Sequence, residues 1–352
     1  MRFAVAVIIC FFNIAILSAA VYEYPSVYKT EVGEIKEISI DCPEGSIRFE
    51  QSADNEINIR VLRVIYLENQ TKAEKIAGEI KVDFRKENQV LHTIVDIPNR
   101  NSRAYDIIHN LLSGEFRNEI EILIKVAAPP NIMLNVTTAS ADISGRNLRN
   151  NLTLKGASSN IKWENVIGDC DIMVESGDFS GCYLDGNILF TGSSSDFDID
   201  ELKGNLSVST SSGDVTACSI WGDIKIKSIS GEIRVYDIKG DIDLNTTSGD
   251  IYSQNIDGSA TAKSISGEIK LSGLTNPQGK FSLRTISGDV YLEMADNFNG
   301  GLEIETRSGE IRTDLDIDFR TVSDSYLEGK TGEGTGKINI ITTSGDISMI
   351  EM

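Results

Sequence analysis

The feature that most constrains this chain is a register: a Ser-Gly-Asp/Glu-Ile motif that restarts every 18 residues. Aligned on its glycine, the units begin at Gly177, Gly213, Gly231, Gly249 and Gly267, and Ala141, Ser159 and Ser195 take the same place in theirs. Gly288 and Gly309 follow at steps of 21 residues, and Gly345 follows at 36, which reads as two units' worth of chain. A fixed period of this kind marks a repeat architecture in which each unit is one structural module.

Within the unit from Gly231 to Ser248, with the glycine as position 1, Ile233 and Val235 alternate with polar residues, and so do Ile242 and Leu244. Two period-2 patterns per unit mean two short strands. Position 8 carries a lone aliphatic in unit after unit (Leu184, Leu202, Ile220, Ile238), and position 10 is usually glycine, a second turn. One unit cannot bury its own apolar residues. Stacked at about 4.8 Å per coil, each strand pairs with its copies above and below, and the aliphatics become ladders filling one narrow core. A propeller blade needs about 40 residues, more than this unit supplies. The expected fold is all-β: a single-chain β-solenoid (β-helix) of about 18-residue coils with a less regular N-terminal β cap.

Three segments follow. Residues 1–20 read as a signal peptide: Arg2 gives the positive end, Phe3 to Leu17 is almost wholly apolar, and Ser18-Ala19-Ala20 supplies small residues for cleavage near Ala20. A retained membrane anchor is the rival reading, since the apolar run is near the lower limit for a span. Residues 21–140 hold alternating segments such as Ile57 to Val61 and Ile120 to Val126, and form the N-terminal β cap with irregular coils. Ala104 to Phe116 reads as a short helix or an insertion. Residues 141–352 are the regular solenoid. The net charge of −20 excludes a nucleic-acid surface, which must be basic. No second apolar stretch is long enough to span a bilayer, so the mature chain is expected to be extracytoplasmic: secreted, periplasmic or on the cell surface.

The SG[DE]I units, the apolar strand running into Ala128-Pro129-Pro130-Asn131, and the ending Gly332-Glu333-Gly334-Thr335-Gly336 followed by Lys337 to Ile347 together resemble the bacterial "putative adhesin" β-strand-repeat family of unknown function. The resemblance covers about residues 34–352. It implies an envelope-associated or secreted β-helix and carries no catalytic residues to this chain.

Position 2 forms an acidic column of Asp142, Asp178, Asp196, Asp214, Glu232, Asp250, Glu268, Asp289, Glu310 and Asp346, interrupted by Asn160. Stacked carboxylates about 4.8 Å apart repel by roughly 1 kcal/mol even in water, so something must offset them. Turn capping, with each carboxylate accepting from nearby backbone N–H groups, is the favoured reading. A cation edge formed by Asp178, Asp196, Asp214, Glu232, Asp250 and Glu268, with Ca²⁺ as the ion, is the competing one. The nonapeptide pattern of calcium-binding β-rolls is absent, and no cofactor is expected.

The serine column at position 18 (Ser158, Ser176, Ser194, Ser212, Ser230, Ser248, Ser266, Ser287, Ser308) continues the inward alternation 12, 14, 16, 18, which predicts hydroxyls facing the core. The two histidines, His92 and His109, lie outside the repeats, so a serine nucleophile has no partner there. Asp198, Asp200 and Glu201 form a local acidic knot. It is the nearest approach to the paired carboxylates of a carbohydrate-active β-helix lyase or hydrolase, and a solvated face is the simpler reading. Cys182 and Cys218 both fall at position 6, two coils apart, beyond disulfide reach. Cys170 falls at apolar position 12, Trp163 at inward position 5 and Trp221 at outward position 9. The expected function is non-catalytic, an adhesin-like or structural protein meeting an envelope protein or glycan. The enzyme is the alternative.

Overall fold

The computed structural model describes residues 20–98, 120–295 and 297–351. The signal segment before Ala20, Cys10, His109 and the Ala104–Phe116 segment lie outside these residues.

Each regular unit contributes one strand to each of two sheets, as the double alternation requires. The first coils are β8 (Met133–Thr138) with β9 (Ser140–Leu148), β10 (Leu152–Ser158) with β11 (Ile161–Ile167), and β12 (Cys170–Ser176) with β13 (Phe179–Asp185). Pairing is parallel, and each paired residue of the 18-residue coils faces its counterpart 18 positions away, as in Ile233 against Ile251 and Ile242 against Ala260. Among the described residues, fifteen strands form the first sheet and sixteen the second. Their inner faces share one core, in which Ile233, Val235, Ile238, Ile242 and Leu244 are all buried.

The lone aliphatic at position 8 has a backbone cause. Position 7 is left-handed in successive coils: Asn147, Asn165, Tyr183, Glu201, Ser219, Asp237 and Asn255 have φ between 52° and 59°. The residue is left out of the ladder, so Glu164 pairs with Cys182 and then Val166 with Leu184. Because both paired strands carry the left-handed residue, the register is kept, positions 6 and 7 turn outward together and position 8 returns to the core.

The same geometry corrects the serine expectation. Alternation ends at the corner, so Ser176, Ser194, Ser212 and Ser230 are exposed. The inward polar column is position 16, with Thr210, Ser228, Thr246 and Ser264 buried. Ser264 Oγ donates to the Gly249 carbonyl at 3.1 Å, and Thr285 Oγ1 to that of Gly267 at 3.2 Å. Glycine at position 1 follows from close approach: a Cβ on Gly213 would collide with the carbonyl oxygen of Ser195, one coil away.

Both ends depart from sequence order. At the N-terminal end, β2 (Glu37–Asp41) and β3 (Glu44–Gln51) lie directly against β8 and β9. β1 (Val21–Glu31), β4 (Glu56–Tyr66) and the later β7 (Ile120–Ala128) extend the first sheet outward, and β5 (Lys81–Glu87) and β6 (Val90–Asp96) extend the second. A helix, α1 (Gln70–Glu79), covers this end. Asn69 caps it by accepting from Lys72 N–H at 3.1 Å, and Arg63 donates to the Ala77 and Ile80 carbonyls at 2.8 and 3.0 Å. The strand reading of the sequence missed it. The available signal was an Asn cap before apolar Ala73, Ile76 and Ala77 at helical spacing.

At the C-terminal end, the 36-residue step does not represent two stacked coils. The last coil, Gly336–Ser344 with Ile347–Glu351, inserts between the coils headed by Gly288 and Gly309. Ser344 therefore bridges Ser287 on one side and pairs with Ser308 on the other. Tyr326–Thr331 pairs antiparallel with Gly300–Ser308 and with Asp318–Val322, so the second sheet ends on that short, exposed five-residue strand.

Candidate functional site

The acidic column is a hydrogen-bond ladder. Oδ1 of Asp178 accepts from Asp196 N–H at 3.1 Å, Oδ1 of Asp196 from Asp214 at 2.9 Å, Oδ1 of Asp214 from Glu232 at 2.9 Å, and Oδ1 of Asp250 from Glu268 at 2.8 Å. Asn160, the exception in charge, does the same for Asp178 at 3.1 Å. A donor on the next coil therefore offsets the like-charge stacking. Glu232 is bonded instead to Arg234, whose guanidinium also lies 3.8 Å from Asp214.

A second rail of the same kind escaped the sequence reading. At position 11, Oδ1 of Asn151, Asp169, Asn187, Asn205, Asp223 and Asp241 accepts from the backbone N–H one coil on, at 2.7–3.1 Å. The signal was an Asn/Asp run immediately after the position-10 glycine. This rail forms one side of an open trough of about 1120 Å³ on the second sheet, extending from Met133 to Lys263. Its floor is position 13, where residue chemistry changes with every coil: Thr153, Asp171, Leu189, Ser207, Lys225, Asp243 and Thr261. Lys225 and Asp243 lie 3.8 Å apart, whereas Asp171 is flanked along the row by the uncharged Thr153 and Leu189.

Asp198 and Asp200 project from the opposite sheet, away from this trough, and Glu201 beside them is the left-handed residue of its coil. Asp200 stacks between Cys182 and Cys218, so those two thiols are separated by a whole coil, and all four described cysteines are free. Cys170 sits between Leu152 and Ile188 in the core, and burial pushes its thiol up to about 12. Burial likewise pushes Cys42 to about 12, and its thiol donates to the Glu44 carbonyl at 3.1 Å. Trp163 is buried against Phe49, with ring centroids 6.1 Å apart, whereas Trp221 is exposed. Among the described residues, no group of three or more His, Cys, Asp or Glu side chains is arranged to hold a metal ion. No described helix is long and apolar enough to cross a membrane.

The Toastrack DUF4097 family matches residues 35–349. This chain belongs to that family. The toastrack is a β-solenoid, in agreement with the two stacked parallel sheets. No curated protein matches the sequence. Among solved structures, a "putative adhesin" from Bacteroides fragilis is 14% identical, with 69% of this chain and 97% of that one covered and a TM-score of 0.37. A "putative cell adhesion protein" from Clostridium sporogenes is 8% identical, with 94% and 100% covered and a TM-score of 0.22. A "putative lipid binding protein" from Parabacteroides distasonis is 13% identical, with 92% and 96% covered and a TM-score of 0.27.

Proposed function

We propose that the chain is an extracytoplasmic, non-catalytic binding protein that holds an extended envelope component, a glycan or a protein segment, along the trough of its second sheet. The observation that carries this reading is the contrast between frame and floor. The frame repeats with little change: the position-11 rail is Asn or Asp in six successive coils. The floor does not repeat, so each coil offers a different contact to a ligand lying across the strands. A pure spacer has no need of that variety, and specificity needs varied contacts in fixed places.

The carboxylates support a binding role over hydrolysis. A glycosidase needs two carboxyl groups facing one scissile bond. Here the Asp residues of both rails hold backbone N–H groups, Asp171 and Asp243 on the floor are four strands apart, roughly 19 Å, and Asp198 and Asp200 lie on the other sheet. Export is part of the same proposal, with cleavage near Ala20: the first strand begins at Val21, directly after the expected cleavage point.

The test is a pull-down from envelope extracts of the native host with the immobilised chain, alongside a Lys225→Glu/Lys263→Glu variant. A retained component that the variant loses supports the reading. No retained component, or equal retention by the variant, overturns the trough as the binding face.

A further inference from the structure

A second site lies where the cap meets the solenoid, on the outer face of the first sheet. The strand register places one residue from each of six strands in a single row. Arg60 on β4 faces Lys125 on β7, Lys125 faces Arg48 on β3, Arg48 faces Ser144 on β9, Ser144 faces Lys162 on β11, and Lys162 faces Ser180 on β13. Neighbouring strands are about 4.8 Å apart, so the row spans roughly 24 Å and places three cations side by side. It lines a cleft of about 780 Å³ whose second row contains the half-buried Leu62 and Leu123, then Ser46 and Asn160.

The charge of this row is anomalous. The chain has 53 acidic and 33 basic residues, so a carboxylate neighbour is the easy outcome for any surface cation. Only Lys125 has one, Glu50 at 2.9 Å; Arg48, Arg60 and Lys162 form no ion pair among the described residues. The two carboxylates lining the cleft form no ion pair with the row among the described residues: Asp142 accepts from the Asn160 amide within the cleft at 3.1 Å and Asp178 from the Asp196 backbone at 3.1 Å. Adjacent like charges at strand spacing repel by roughly 1 kcal/mol in water, and an anion laid along the row reverses that cost.

We propose that this row binds an acidic glycan, a uronate- or sulfate-bearing chain lying across the strands. The strand spacing is close to the length of one sugar in an extended chain, so successive acidic groups meet successive cations. Ser144 and Ser180 alternate with the charges and offer hydrogen bonds to ring hydroxyls. The row is bounded by Val27 at one end and Asp198 at the other, which limits the ligand to about six sugars at one per strand. This site is independent of the trough on the opposite sheet.

The test uses the full-length chain with its native N-terminus and a fluorescently labelled heparin hexasaccharide, read by anisotropy. The comparator is neutral maltohexaose. An Arg48→Glu/Arg60→Glu variant should weaken hexasaccharide binding about tenfold or more, and raising salt from about 50 to about 200 mM should weaken it severalfold. Lys225→Glu/Lys263→Glu should leave it within about twofold, with matching circular-dichroism melts showing that both variants are folded. Absence of binding at low salt, equal binding of maltohexaose, or unchanged affinity in Arg48→Glu/Arg60→Glu overturns the proposal. So does an equal loss in the trough variant, which would move the anion to the other sheet. The trough reading is judged separately by its own pull-down.

Discussion

Asp214 donates its backbone N–H to Oδ1 of Asp196 at 2.9 Å, across one coil and 18 residues of sequence. The bond ties the motif's acidic residue to the coil above, so the column stabilises the stack through its carboxylate oxygens. Asp196→Ala should lower stability by about 1–2 kcal/mol in urea denaturation, the usual cost of losing such a cap. Asp196→Asn should be nearly neutral, because Asn160 makes the same bond. Chelators should leave the denaturation midpoint unchanged. A calcium-dependent rise would restore the cation reading of Asp178, Asp196, Asp214, Glu232, Asp250 and Glu268.

The left-handed backbone at position 7 allows substitutions that stabilise. Tyr183 has φ 57° and an exposed side chain, so its ring contributes little packing while its backbone occupies a region L-residues disfavour. Tyr183→Gly should raise the melting temperature, with a gain of about 1 kcal/mol, and Tyr183→Val should lower it. Equal melting of all three chains would contradict the left-handed assignment.

The regular coils were legible in the sequence because inward positions 3, 5, 12 and 14 follow a two-residue period and repeat every 18 residues. Position 7 was not: Asn or Asp, which tolerate the left-handed region, fill it in Asn147, Asn165, Asp237 and Asn255, but Tyr183, Glu201 and Ser219 break the pattern and share only the backbone angle. The serines at position 18 were misplaced for a related reason: extrapolated alternation fails once the chain turns a corner, and Ser212 and Ser230 are exposed there. The basic row was invisible because its members come from strands far apart in the chain. Arg48, Arg60, Lys125 and Lys162 meet only through pairing that reorders the cap.

Thiol chemistry gives a pH-dependent expectation. Cys42 and Cys170 are held protonated to about 12 by burial. In the unfolded chain a thiol ionises near its ordinary value of about 8.5. Between these limits the unfolded state has lost the proton that the folded state keeps, so stability falls as pH rises through that window and is fully present below it. Urea midpoints should therefore drop between about pH 8 and about pH 11, and less steeply in a Cys42→Ser/Cys170→Ala variant. In native conditions a thiol reagent should modify Cys182 and Cys218 well before the two buried cysteines. Equal rates at all four would contradict the placement.

The inserted C-terminal coil can be trapped covalently. Ser287 and Ser344 are bridged neighbours at about 4.8 Å strand spacing, within disulfide reach, whereas Ser287 and Ser308 are two strands apart at roughly 10 Å. With Cys182 and Cys218 replaced by serine, Ser287→Cys/Ser344→Cys should oxidise readily and Ser287→Cys/Ser308→Cys should not. The reverse outcome would put the coils back in sequence order.

Binding without chemistry is tested by assaying retention and cleavage on one sample. Uncharged envelope glycan from the native host, which the basic row does not hold, is incubated with the chain, then assayed for co-sedimentation and for new reducing ends. Retention that is lost in Lys225→Glu/Lys263→Glu, with no new reducing ends, is the predicted result. Reducing ends released by the chain and abolished by Asp198→Asn/Asp200→Asn would contradict it and identify the acidic knot on the other sheet as catalytic.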